Sequence, residues 1–347
     1  MSRKNKPQKP QANTASSDII ETPNGSVEFS IAAPEPVMGK SLLDMLGTFL
    51  DPWGKYYQPP ICMKMLSRLR HANAHHGAAI GFKRNKLAQY FVETQVISLA
   101  DFRAAALDFM VFGNAYFKIF TDYFGTITRL VHVPALNIRK MKDTEDGQSQ
   151  YLQLGKNGQQ IEFAPGEILH IMDYDTGQQF YGVPEWLCAM QSILLNEDST
   201  LFRRRYFANG CHIGYILYTT DPAIDPKVEQ NIREKVAQGK GVGNFQSLYV
   251  NIPNGKDKGV QVIPVGDISQ KDEFERIKNI SADDVIVGHR MHPALAALKP
   301  ENAGGFGDIE KIDVVYTRNE VRAMAMPFQE VNSRLPAHAR FTFEFPE

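Results

Sequence analysis

Two histidine-bearing stretches carry the residue types and spacings closest to chemistry. In His71-Ala-Asn-Ala-His75-His76 the first and fifth residues stand at i and i+4, a spacing that sets two imidazoles on one helix face as metal ligands. The glutamate of an HExxH site is missing, and the alternative is an inter-helix segment with ordinary polar histidines. His170-x-x-Asp173-x-Asp175 admits a metal or acid–base reading, against a strand-end histidine followed by turn aspartates. Together with His75 these residues define one function class, a metal-dependent hydrolase, which requires them to converge in a pocket. Gly239, Gly241 and Gly243 look like a GxGxxG loop, but they follow a helix and precede a strand, the reverse of the dinucleotide fingerprint. No GxxxxGK[ST] loop, GxSxG elbow or CxxC pair occurs, so an ATP-driven motor is disfavoured and a structural or conduit role outweighs catalysis. No enzyme, cofactor or bound metal is expected.

The bulk composition narrows the classes further. The 347 residues suffice for a large core, and 38 basic against 39 acidic residues give a formal charge of −1. Nothing global announces a nucleic-acid binder or a membrane-surface protein, so any DNA contact is local or weak. A sequence-specific DNA binder would show site preference and a steep salt slope. Cys62, Cys188 and Cys211 fit neither a disulfide framework nor a zinc site, which points to a reducing cytoplasm. Arg3, Lys4, Lys6 and Lys9 are followed by no apolar signal region, and no apolar run is long enough to span a bilayer.

The elements that must position these residues fall into two blocks. Residues 1 to about 40 are rich in Pro, Asn, Gln, Ser and Lys and read as a flexible arm. Ser41 to Leu50 has the pattern of a short amphipathic helix, and Ile61 to Leu69 and Ala78 to Val92 read as two more, the second with Ile80, Phe82, Leu87, Tyr90 and Phe91 among basic positions. Ser98-x-x-Asp101 is a variant capping box opening a helix that runs to Gly113. Strands follow at 115–121, 126–133, 151–154, 159–163 and 168–172, with turns at Asp122 to Gly125 and Gly155 to Gly158, which makes an α+β body.

The second block, Gly182 to Leu335, reads as helix, small β-rich insert, helix, glycine-rich loop and proline-broken helix. Pro184 opens the first helix and Asn209-Gly210 closes it, a length of about 40 Å at about 1.5 Å per residue. The insert reads as strand 213–220, charged helix 226–238, and strands 246–252 and 260–265. The next helix carries Phe274, Ile277 and Ile280 at intervals of three and ends at His292-Pro293. Ala303 to Gly307 is too glycine-rich to hold one conformation unaided. Asp308 N-caps the last helix, and Pro327 predicts a kink in it.

The ordered motifs Tyr57-Gln-Pro-Pro-Ile, Asn73 to His76, Phe112-Gly-Asn-Ala-Tyr-Phe, Glu167-Ile-Leu-His-Ile, Gly182-Val-Pro-Glu, Phe207-Ala-Asn-Gly210 and Gly288 to Pro293 resemble those of phage portal proteins. The likeness is to the small portals of contractile-tailed temperate phages, the PBSX type, over about residues 40 to 335. The resemblance implies a head–tail connector: a ring, usually of twelve subunits, at one capsid vertex, through which DNA is packaged and ejected. It implies a flexible arm at 1–40, a wing at 41–182, stem helices at 183–209 and 269–291, and a clip at 210–268. A tunnel loop at 292–308, a kinked wing helix at 309–335 and a short tail at 336–347 complete it, with no substantial crown.

Channel-facing residues by this analogy are Lys299, Asn302, Gly304, Gly305, Phe306 and Gly307 of the loop, with Arg203 and Arg205 of the stem. Lys227, Arg233 and Lys235 of the clip would meet the terminase and later the head-completion or tail proteins. The implied partners are other copies of the chain, double-stranded DNA bound without sequence preference, terminase, major capsid and scaffolding proteins, with no membrane. The implied location is the virion, after assembly in the host bacterial cytoplasm. Leu194, Phe202, Ile277 and Ile280 are candidates for subunit packing, or for ordinary intrachain core. Another ring-shaped head–tail adaptor is the rival within this class, and it would lack the helix–insert–helix order.

Overall fold

The computed structural model describes residues 17–22, 25–30, 48–208, 214–219, 227, 230, 248–251, 260–265, 270–296 and 307–346. The chain divides into two units, Met1–Gly47 and Thr48–Glu347. In the first, strands β1 (Ser17–Thr22) and β2 (Gly25–Ser30) pair antiparallel, with Ser17 opposite Ser30 and Thr22 opposite Gly25. The arm read as flexible therefore contains a two-stranded ribbon. Most of the helix expected at 41–50 lies outside the described residues, and Leu50 itself bridges to Tyr57 in a strand-like contact. The turn between them is set by Asp51, whose carboxylate accepts the backbone N–H groups of Trp53, Lys55 and Tyr56.

Helices α1 (Met63–Ala72) and α2 (Ala74–Gln89) are longer toward each other than their apolar patterns predict, and only Asn73 separates them. Asn73 is extended (φ −114°, ψ 126°) and its side-chain oxygen accepts the His76 N–H at 2.9 Å, so one residue both ends α1 and caps α2. His71 therefore closes α1 while His75 and His76 open α2, and the i, i+4 spacing of His71 and His75 does not lie on one continuous helix. Helix α3 (Leu99–Phe112) starts at the predicted box, with Ser98 Oγ accepting from Asp101 N–H and donating to its carboxylate. It ends at Gly113 in the left-handed region, φ 69°.

Strands β3 (Asn114–Thr121), β4 (Ile127–Val133), β5 (Ile138–Lys140), β6 (Tyr151–Leu154), β7 (Gln160–Glu162) and β8 (Ile168–Met172) form two antiparallel sheets, β4-β3-β8 and β5-β6-β7. The class is α+β, as expected.

Pro184 remains extended and a 3₁₀ turn, Glu185–Ala189, precedes α4 (Met190–Ala208), so the first long helix begins later than a proline at its first position implies. The insert holds β9 (Gly214–Thr219), β10 (Leu248–Asn251) and β11 (Val260–Val265), ordered β10-β9-β11 with β10 parallel and β11 antiparallel to β9. A parallel pair requires a crossover of a dozen or more residues, and the predicted helix at 226–238 lies in that crossover. Of that helix only Lys227 and Gln230 are described, and both are helical.

Helix α5 (Gln270–Gly288) packs along α4, and Met190 and Ile193 of α4 and Ala282, Val285 and Ile286 of α5 are buried. It stops at Gly288, earlier than the proline rule requires, because Arg290 takes a left-handed conformation and the chain turns there. Helix α6 (Ile309–Tyr316) is capped by Asp308 as predicted; a π-turn at Thr317–Val321 leads into α7 (Arg322–Glu330), which holds Pro327. The helical irregularity thus includes a π-turn upstream of the proline.

The residues after α7 return to the body. Phe341 is buried against Phe102, Phe117 and Phe328, and backbone bonds join Val92 to Thr342 and Glu344 to Tyr90. The tail thus supplies Ala339 and Phe341 to the core.

Candidate functional site

Two adjoining clusters mark where the long helices leave the body. The first is a backbone knot around Asn114. Its amide nitrogen donates to the carbonyls of Phe112 (2.7 Å) and Gly182 (2.8 Å), while its oxygen accepts from Gly182 N–H (2.8 Å) and His170 Nε2 (2.9 Å). His170 Nδ1 faces the Tyr151 hydroxyl at 3.2 Å and the ring stacks on Tyr116. An amide oxygen on Nε2 assigns the proton there, so His170 is a neutral hydrogen-bonding strut. Burial, then the nearby Lys140 and Arg334 charges, pushes its pKa down to about 3. The backbones of Gly113, Asp173 and Val183 interlock in the same place, with Asp173 N–H donating to Gly113 O (2.8 Å) and Val183 N–H to Asp173 O (3.2 Å).

The second cluster ties four helical segments together. Asn73 donates to Ile193 O and to Asn196 Oδ1, both at 3.0 Å, and Asn196 donates to Lys278 O and Ser281 Oγ, both at 2.9 Å. A relay of two asparagines therefore joins the α1–α2 break to α4 and α5. Beside it His76 Nδ1 and His289 Nε2 lie 2.8 Å apart, both rings fully buried, with Trp186 edge-on to His76. Burial holds both imidazoles neutral, His76 down to about 4. Lys83 Nζ lies 3.6 Å from Glu185, which lies 3.5 Å from Arg290, which lies 2.9 Å from Glu320. Asp173, Glu185, Lys83, His289 and Glu320 share a cavity of about 70 Å³.

Asp173 is the cluster's titrating group in the accessible range. Burial, then the Glu185 charge, pushes its carboxyl up to about 6, with Lys83 opposing. The folded chain thus holds this proton more tightly than the unfolded chain, and stability is lost as pH rises from about 4 through 6. Asp173→Asn is expected to raise the melting temperature at pH 8 and to leave it unchanged at pH 4; an unchanged value at pH 8 would mean the carboxylate is fully hydrated.

The hydrolase reading fails on this geometry. His170 is committed to Asn114 and Tyr151, Asp175 accepts from Gly177 N–H as a turn aspartate, and Asp173 turns to the cavity with Lys83. Among the described residues no three His, Cys, Asp or Glu side chains are grouped to hold a metal ion. His75 is half-buried on α2 near Lys278 and Asp283.

Of the other predicted site residues, Arg203 is an exposed side chain on α4 and Lys227 is exposed on the insert. Gly307 begins the approach to α6 at φ 78°. Lys299, Asn302, Gly304, Gly305, Phe306, Arg233 and Lys235, and the side chain of Arg205, lie outside the described residues. Sequence reading missed Lys83, Asn196, His289 and Glu320. A signal existed for Lys83, because His76, Ile80, Lys83 and Leu87 recur at intervals of three and four and all four are buried. A lysine on that stripe marks a buried charge, not one of the flanking basic positions.

The body, paired helices and small sheet together form the fold of connector subunits. A chain from the neck of a native gene transfer agent particle computed with C12 symmetry superposes with TM-score 0.60 at 15% identity, over 84% of this chain and 86% of that one. An HK97 family phage portal protein from Corynebacterium diphtheriae superposes with TM-score 0.51 at 15% identity, over 77% and 91%. In sequence, a probable portal protein of Haemophilus phage HP1 is 38% identical over 90% of this chain and 89% of its own length. That of Escherichia phage P2 is 37% identical over 88% of each. The family model "Phage portal protein" matches residues 100–346. The chain belongs to the phage portal protein family, a structural family without enzymatic activity, and its role is that of a portal in phage DNA packaging.

Proposed function

We propose that the chain closes into a homo-oligomeric ring, of twelve copies in the virion, at the unique capsid vertex, and that double-stranded DNA passes along its axis during packaging and ejection. The observation that carries this reading is the apolar surface left on the long helices. Ile280 (51% exposed) and Val287 (72%) lie seven residues apart on one face of α5, and Leu195 and Leu201 are exposed on α4. Single exposed apolar residues are ordinary, but repeated ones on long helices fit head-to-tail contacts that close at a fixed rotation. The C12 and C6 symmetries computed for the gene transfer agent necks support a closed ring.

In this reading residues 1–40 are an arm, 41–182 the wing, 183–209 and 269–291 the stem, and 210–268 the clip. Residues 292–308 are the tunnel loop, 309–335 the kinked wing helix and 336–347 the tail. The order α4, β-sheet insert, α5 favours a portal over another ring-shaped adaptor. Arg203, Arg205, Lys299, Asn302, Gly304, Gly305, Phe306 and Gly307 face the DNA. The near-neutral composition suits sliding, since dense phosphate neutralisation would retard the strand. Lys227, Arg233 and Lys235 meet terminase and then head-completion or tail proteins. Assembly takes place in the host cytoplasm with capsid and scaffolding proteins, and no helix among the described residues is long and apolar enough to cross a membrane.

Electron microscopy and sedimentation of the purified protein test the ring. The parent is expected to give closed rings, and a chain carrying both Ile280→Asp and Val287→Asp a folded monomer with unchanged circular dichroism. Rings that persist in the double variant would remove this face from the interface.

A further inference from the structure

We propose that Arg290 is a positioning residue that ties the C-terminal end of α5 to the π-turn after α6, through an ion pair built to release while a neighbouring one stays closed. This applies to a single chain and does not depend on ring assembly.

Arg290 stands two residues beyond the end of α5, and Glu320 lies in the π-turn after α6, so their 2.9 Å contact joins the two helical elements. The backbone at Arg290 is the first sign that its side chain matters. Arg290 N–H donates to Val287 O (2.8 Å) and Met291 N–H to Ile286 O (3.1 Å), the double closure of a helix end whose left-handed position ordinarily takes glycine. Arg290 occupies that position at φ 54°, the one non-glycine residue with positive φ among those described. A backbone optimised for the turn alone would carry glycine there, and the side chain's contacts offset the strain.

Burial separates the linked ion pairs into two kinds. Lys83 has a side chain only 5% exposed, and stripping it of Glu185 would leave a buried ammonium without a partner. That pair holds the 3₁₀ turn ahead of α4 to α2. Arg290 is 55% exposed, so water can solvate its guanidinium on release, while Glu320, only 18% exposed, keeps the Lys83 charge across the cavity they share. The π-turn itself is weakly held from within, because the Tyr316 hydroxyl and Thr317 Oγ1 are buried with no hydrogen-bond partner among the described residues. Opening therefore starts at Arg290–Glu320 and leaves Lys83–Glu185 in place.

Amide hydrogen exchange on the full-length protein tests this, in Arg290→Gly, Arg290→Ala and Glu320→Gln. All three are expected to speed exchange about tenfold at residues 290 and 291 and at Arg322, whose N–H closes the π-turn on Thr317 O, while α2 around Lys83 keeps the parent rate. Glycine is the discriminating variant, because it suits the left-handed backbone better than arginine. Parent-level or slower exchange in Arg290→Gly would overturn the proposal by showing that the turn depends on backbone alone. Glu320→Gln leaves the strained residue intact, and parent-level exchange there would also overturn it. Equal acceleration in α2 would overturn the division into a released and a permanent pair.

Discussion

A chain carrying Gly182→Ala is expected to lose more than about 4 kcal/mol of stability and to be recovered largely unfolded. A β-carbon at this position would stand 2.0 Å from Gly113 O, 2.6 Å from Asp173 N and 2.7 Å from Asp173 O. All three are backbone atoms, which cannot swing away as a flexible side chain can. The same atoms carry the bonds of the knot, so relief of the overlap would break the Asn114–Gly182 pair of hydrogen bonds and the Asp173–Gly113 bond together. Each unsatisfied buried group adds about 1–3 kcal/mol. Gly125→Ala is the matched control: its φ is 81° but nothing lies within 4 Å of the added carbon, so the expected loss is only about 1 kcal/mol of backbone strain. Urea melts followed by circular dichroism compare the two. A Gly182→Ala midpoint near that of Gly125→Ala would show that the chains at the knot can separate without cost.

The second large effect is acid sensitivity. His76 and His289 are buried and neutral in the folded chain, their pKa values driven down by burial first and then by Arg70 for His76 and by Lys83 and His76 for His289. In the unfolded chain both titrate near 6.5. Below that pH the unfolded state binds protons that the native state refuses, so stability falls as pH drops from about 6.5 toward 4. For two such groups the loss between pH 7.5 and 5.5 is about 2–3 kcal/mol, a large share of the roughly 5–15 kcal/mol typical of a folded domain. Asp173 acts in the opposite direction in part of this window, so His76→Phe with Asp173 intact is the informative variant. Denaturant melts from pH 8 to 5 are expected to show a steep decline in the parent, to which buried His170 also contributes, and a slope reduced by about a third in the variant. A parent whose stability does not change over this range would mean that the histidine pair takes up a proton while folded.

Much of the architecture was legible in local signals, and the reasons are specific. Ser98 and Asp308 are caps because their side chains match the orphan amides three residues on, a relation contained within one turn. The strands at 115–121, 126–133 and 168–172 alternate and are bounded by turn residues, and the structure pairs them in one sheet. The α1–α2 boundary was not legible, because Asn73 reads as a loop residue until Asn196 and Ile193, far away in sequence, give its amide partners. The hydrolase constellation at His170 misled for a related reason. Spacing along a strand places side chains near one another in sequence, but Asn114 on the neighbouring strand and Tyr151 claim the imidazole. Arg290 gave no signal at all, since only the three-dimensional path of the chain shows that it occupies a position suited to glycine.

The aromatic core has a consequence for synthesis. Phe102 and Phe117 are emitted early by the ribosome, yet their burial depends on Phe328 and Phe341, which emerge more than 200 residues later. Until those residues leave the exit tunnel, the body is an open-sided layer with exposed phenylalanines, a state prone to stick to other nascent chains. The contacts that close it are of high sequence separation and slow to form. The body therefore closes late in synthesis, and a nascent subunit has no finished surface to offer a neighbour until Phe341 has left the ribosome.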